Sequence, residues 1–233
     1  SYSSDNELKQ NKIDLKEGFH TLRWGGGVEG FELPEGVMPP RGSQGFIESF
    51  SVVPGKYNVK LSYGDYEKIS SFEILPDPRN EIDESHFARK SELMKDIHDD
   101  ISDIYSSLKK MQSAREQLDD LESRLSDEKF SKILELSKRT IKLIEDTELK
   151  LISPKQKTFQ DVINFRNQLD AQFLDLLSKV DGNVPPITSG EMTRYNDLKS
   201  EWLKIKTGYD QVVSNIQDIN TKLIESSVPF ISR

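Results

Sequence analysis

The chain has no cysteine among its 233 residues. Disulfides, thiolate metal sites and cysteine nucleophiles are therefore excluded, while the compartment stays open. No run of about 18 apolar residues occurs, so nothing reads as a membrane span. Histidine is scarce: His20, His86 and His98 are the only three. Their spacing is not that of a zinc site, and they read as surface or packing residues. Positive charge is not in surplus either. The net charge is −8, split as −3 through residue 80 and −5 beyond it. Neither half has the basic footprint that draws nucleic acid or an anionic membrane.

Catalytic signatures are missing as well. No G-x-S-x-G elbow is found. "WGGG" (24–27) lacks the spacing of a phosphate-binding loop and precedes no helix. No cofactor is implied. The first residues, "SYSSDNELKQ", contain neither a methionine nor a charged-then-apolar leader, and read as the start of a piece cut from a longer protein.

What is present falls into two unlike parts, meeting at "SFEILPDPRNEID" (71–83). Before this junction apolar residues alternate. In "KYNVKLSY" (56–63), Tyr57, Val59, Leu61 and Tyr63 share one face, the period-two pattern of a half-buried strand. "YEKISSFEIL" (66–75) follows after Gly64-Asp65, a two-residue turn with glycine first, so the two form a hairpin. "GFHTLRW" (18–24) and part of "SQGFIESFSVVPG" (43–55) read as further strands, and Gly25–Gly42 as a long irregular loop. Four or five strands with one buried face suit a small immunoglobulin-like β-sandwich over 1–80. A complete one has about seven, so the first strands are expected to be missing and one sheet edge to be open, or filled by a second copy or by residues 1–15.

After Asp83 glycine nearly vanishes and apolar residues recur at steps of three and four. Met94, Ile97, Ile101, Ile104, Leu108, Met111, Leu118 and Leu125 form one stripe, interrupted by Arg115 and Glu122. Phe159, Val162, Leu169, Phe173, Leu176 and Val180 form a second, and Tyr195 through Leu223 a third. Thr188 with Glu191 makes a capping box, and Thr158 with Asp161 another helix start. Helices are predicted over 84–125, 128–151, 158–181 and 189–226: an antiparallel four-helix bundle, two long and two short, filling 81–233. The fold class is thus α+β in two segregated domains. In an up-down-up-down order the long helices, roughly 60 Å each, outrun the short ones. Met94, Ile97 and Ile101, with Val212, Ile216, Ile219 and Leu223, would then lack bundle neighbours and form an interaction surface. The β domain, a second copy or a further domain would cover it.

Other clusters have plainer readings. Asp96, Asp99, Asp100 and Asp103 on one helix read as a solvated acidic face, because a helix cannot add the carbonyls of a calcium site. Glu29, Glu32 and Glu35 could in principle pair as glycosidase carboxylates, but their loop offers no evident rigid frame. Trp24, Phe31, Phe46 and Tyr66 could stack on a sugar, giving an alternative reading in which the 25–45 loop binds carbohydrate. Burial in a sandwich core is the plainer role for them.

"VVPGKYNVKLSYGDYEKISSFEILPDPR" resembles the P-G-x-Y-x-V-x-L…D-P-R segment near the C-terminus of large secreted bacterial proteins with N-terminal sortilin-type or BNR-repeat β-propellers, often labelled glycosyl hydrolases. "FRNQLDAQFLDLLSKVDGNVPPIT" and "INTKLIESSVPFI" are similar to that family's helical tail. Trp24 stands where the family has W-D-x-R, with Gly25 in place of the acid. The resemblance implies immunoglobulin-like strands followed by a helical tail, secreted or in the cell envelope, with the propeller upstream. The chain would then be a non-catalytic accessory module, partnered by that propeller, by another protein or by a second copy.

Overall fold

The computed structural model describes residues 17–37, 48–125 and 128–226. Four strands come first: β1 (Gly27–Glu29), β2 (Glu48–Ser51), β3 (Gly55–Tyr63) and β4 (Tyr66–Ile74). Four helices follow: α1 (Glu84–Arg124), α2 (Ser131–Leu151), α3 (Leu169–Gly182) and α4 (Ser189–Glu225). The fold is α+β and mostly helical.

The strands form two separate two-stranded antiparallel sheets, β1–β2 and β3–β4. Among the described residues these are not the layers of a sandwich. The predicted strand at 18–24 is irregular backbone with no ladder, and Phe19 within it is fully exposed. Alternation supplied a face, but no described strand lies beside it. The long loop does contain β1, which pairs through a bulge between Gly27 and Glu29 with β2. The hairpin forms as the sequence predicts. Tyr63 faces Tyr66 across Gly64-Asp65, with Gly64 at φ +55°, a region glycine enters freely.

Helix ends follow local chemistry. The Asp83 carboxylate accepts the Ser85 N–H at 2.7 Å and caps α1. Thr188 and Glu191 make the predicted capping box of α4. The Thr158–Asp161 box also forms, but it caps only a short 3-10 turn, Phe159–Ile163. The Gln156 amide then binds the Phe165 carbonyl and Asn167 Oδ1, and Gln172 the Asn167 carbonyl. The chain leaves helical geometry there, and α3 begins at Leu169 instead of 158. The side chains of Phe159 and Val162, counted into the second stripe, lie outside the described residues.

The largest departure is helix order. Tyr105 of α1 meets Asp170 at the start of α3, and Lys90 meets the Asp181 and Asn183 carbonyls at its end. Hence α3 runs antiparallel to α1. So does α2, which turns back from the end of α1 and brings Glu148 to Gln112 and Arg115. α2 and α3 therefore lie end to end along α1, as one middle helix broken between 152 and 168. α4 runs parallel to α1, setting Tyr195 and Lys199 at Asp100, and Trp202 and Lys206 at Asp103. It lies antiparallel to α2, with Asn215 at Thr140. The helices thus form a three-rod bundle instead of four alternating ones.

This order overturns the expected interaction surface. Met94, Ile97 and Ile101 lie at the α3 end of the bundle, while Val212, Ile216, Ile219 and Leu223 lie at the α2 end. All seven side chains are buried within the chain, none more than 7% exposed. The broken rod covers α1 and α4 along their length, so no unpartnered seam remains there. The same core takes in Phe31 and Phe50 from the β region. Phe31 stacks on His98 with ring centroids 4.7 Å apart and sets its edge against Tyr105.

Candidate interaction face

The apolar surface that the helices do not use sits on the β3–β4 hairpin. Cross-strand partners share a face. The register sets Tyr57 opposite Phe72, Val59 opposite Ser70, Leu61 opposite Lys68 and Tyr63 opposite Tyr66. One side of the ribbon therefore presents Tyr57, Val59, Leu61, Tyr63, Tyr66 and Phe72, together with Ser70 and Lys68. At its base Trp24 closes a trio, with ring centroids 6.4 Å from Tyr57 and 5.9 Å from Phe72. The indole N–H donates to the Gly27 carbonyl, and the Tyr57 hydroxyl to that of Val53. Beyond this trio the face is open. Val59, Leu61, Tyr63 and Tyr66 are 53–68% exposed, in a chain whose helical stripes are buried almost completely. The other side carries Lys56, Asn58, Lys60 and Ser62 on β3, and Glu67, Ile69, Ser71 and Glu73 on β4. Lys60 and Glu67 form an ion pair at 2.6 Å, and Ser71 donates to Asn58.

A two-stranded ribbon is marginal in water and gains stability from a third strand or a packed face. Among the described residues, apolar surface and unpaired strand edges coincide here, the combination by which sheets recruit a further strand.

The acids picked out in the sequence lie elsewhere and serve other ends. Glu32 pairs with Lys109, which holds its carboxyl below the usual range. Glu35 binds Gln112 through its backbone in both directions, N–H to Oε1 and carbonyl to Nε2. Of the four aspartates on α1, Asp100 is buried and Asp103 only partly exposed. They sit in the seam with α4, Asp100 buried and bound to Lys199 and Tyr195, and Asp103 to Lys206 and the Trp202 indole. Asp99 pairs with Lys95. Among the described residues no group of three or more potential ligands is placed to hold a metal. Of the aromatics, Phe31 is core, Trp24 backs the hairpin, Tyr66 stands at its tip, and Phe46 lies outside the described residues.

One buried carboxylate was not singled out in the sequence. Asp170, in the first turn of α3, accepts the Ala171 N–H at 2.6 Å and the Tyr105 hydroxyl at 3.4 Å. Burial outweighs both hydrogen bonds and pushes it up to about 7. Burial, with Asp170 nearby, pushes the Tyr105 phenol up as well. No pattern in the sequence separates Asp170 from exposed acids such as Asp175. Compared with protein-family models, with curated proteins and with solved structures, the chain shows no match.

Proposed function

We propose that this chain is a non-catalytic interaction module: a helical spine that carries the β3–β4 hairpin as its contact element. One observation carries the reading. The bundle buries its own apolar stripes, while the hairpin holds four large apolar side chains on one face more than half exposed. That concentration marks a recognition surface better than scattered surface apolar residues would. The reading agrees with the sequence resemblance to the accessory C-terminal region of secreted propeller proteins. In that setting the partner would be the upstream propeller or another protein of the envelope.

The test is site-specific photo-cross-linking in the cells that make the protein. A cross-linker at Leu61 should give a discrete adduct, and one at Leu203, an exposed leucine on α4, should not. Val59→Ser with Leu61→Ser should weaken capture by a cross-linker at Tyr63 while leaving the helical circular dichroism and Tm unchanged. Equal labelling at both sites, or none at the hairpin, refutes the reading.

A further inference from the structure

The face does not by itself say what covers it, but the edge beside it does. Tyr63 and Tyr66 flank the two-residue turn and face each other, and in such a hairpin the flanking pair is the hydrogen-bonded one. Alternation along an antiparallel pair then turns the N–H and C=O groups of Lys56, Asn58, Lys60 and Ser62 away from β4. Among the described residues no strand lies on that side. Next to this row of free groups stand two columns. Tyr57, Val59, Leu61 and Tyr63 make an apolar one, and Lys56 and Lys60 give the other its positive charge.

The strand that β3 already pairs with shows what such an edge accepts. β4 places Glu73 directly opposite Lys56 and Glu67 against Lys60, while Phe72 stacks on Tyr57 with centroids 5.8 Å apart. At these positions acid meets lysine on one face and aromatic meets aromatic on the other, while Ile69 stands directly opposite Lys60 and Lys68 opposite Leu61. Resting on the proposal that this hairpin is the contact element, we infer that the free edge of β3 receives an extended partner segment with alternating apolar and acidic side chains, as the third strand of the sheet. Its backbone completes the open ladder. Its apolar residues extend the Tyr57–Tyr63 column, and its acids face Lys56 and Lys60. Helical and basic partners each fail one requirement, since a helix leaves the edge unpaired and a basic strand sets like charges side by side.

The experiment uses the full chain and two synthetic nine-residue peptides, one alternating valine with glutamate and one valine with lysine. Binding is followed by amide NMR shifts and hydrogen exchange. At low salt the glutamate peptide should bind about tenfold more tightly than the lysine peptide. It should protect the amides of Lys56, Asn58, Lys60 and Ser62. Lys56→Glu with Lys60→Glu should reverse the preference. Lys56→Gln with Lys60→Gln, which adds no repulsion within the hairpin, should abolish it. Protection appearing instead at Glu67, Ile69, Ser71 and Glu73 overturns the inference, as does β3-edge protection already present in the free chain or arising from self-association. Equal binding of both peptides, lost on Val59→Ser with Leu61→Ser, removes the acidic strand but leaves the hairpin as contact element. If neither peptide binds, the strand inference falls, and the cross-linking result alone judges the hairpin.

Discussion

Asp170→Asn should stabilise this protein, and by an amount that grows with pH. The carboxyl is 7% exposed, sits where α3 meets α1, and is raised from 3.8 to about 7 by burial. An acid whose pKa is higher in the folded than in the unfolded state favours folding only while protonated. Its contribution is therefore full below about pH 4, the unfolded value, and is lost as pH rises toward 7. A rise of this size corresponds to about 4 kcal/mol between the two protonation states. Asparagine keeps the shape: its Oδ1 can accept the Ala171 N–H while its Nδ2 donates to the Tyr105 hydroxyl oxygen, but it forfeits the favourable charge at a helix N-terminus, worth about 0.5–1 kcal/mol. A net gain of about 2–3 kcal/mol is expected at pH 8, shrinking to near zero or slightly negative at pH 4. Urea denaturation followed by circular dichroism from pH 4 to pH 8 measures the difference. Asp175→Asn, an exposed substitution on the same helix, serves as control. A difference between Asp170→Asn and the natural chain that stays constant with pH would show that Asp170 is not a buried acid titrating near neutrality.

Other substitutions test the packing that holds the rods in order. Gly208 of α4 faces α2, where an added Cβ would come within 2.8 Å of Thr147 Oγ1; Gly208→Ala should cost about 1–2 kcal/mol despite better helix propensity, and Thr147→Ala in the same chain should recover part of it in a urea melt. Gly190→Ala, in the first turn of α4 with nothing nearer than 3.9 Å, should be neutral or raise the Tm slightly. Arg115→Ala removes the cation 2.7 Å from Glu148, whose side chain is 10% exposed, and should cost about 1–3 kcal/mol. Arg139→Ala, at an exposed i,i+4 pair with Glu135, should cost under about 0.5 kcal/mol; equal losses at both arginines would contradict the burial argument.

Much of the local structure was legible because it depends on short-range chemistry. The alternation of Tyr57, Val59, Leu61 and Tyr63 with the Gly64-Asp65 turn set the hairpin and its register. The Met94–Leu125 stripe located α1, and the Thr188–Glu191 box located the start of α4. Direction and neighbours were not legible, because a heptad stripe says which face is buried and not which helix buries it. Leu93, Tyr105 and Leu121 are buried on α1 beside that stripe, and such a width belongs to a helix with two neighbours. The capping signal at Thr158 was real but ended in a 3-10 turn, which made the third helix too long and hid its stacking on α2. The pairing of Asp100 and Asp103 with α4 was hidden because their partners, Lys199 and Lys206, lie about a hundred residues away. The exposed hairpin face was equally hidden: alternation identifies an apolar face but not whether anything covers it.

The broken middle rod explains why the chain before α1 is not an independent appendage. Ending one helix and starting another leaves terminal backbone groups at the break and side chains of α1 without a helical neighbour over that gap. The segment from Phe31 to Gly36 lies there. Phe31 fills the apolar part against Tyr105 and His98, and Gly36 passes close to Ile152 and Pro154 just beyond α2. The Gln112 amide handles the polar part: it donates to the Glu35 carbonyl and to Glu148 while accepting the Glu35 N–H, so both its protons and its oxygen are engaged. A continuous middle helix would have covered these groups itself. With the helix interrupted, the early chain completes the bundle. At the far end of α3, Ser51 of β2 bonds to Asp181. The two contacts hold the β1–β2 region on the helices from both sides. They also fix the point, at Val53-Pro54, from which the β3–β4 hairpin departs.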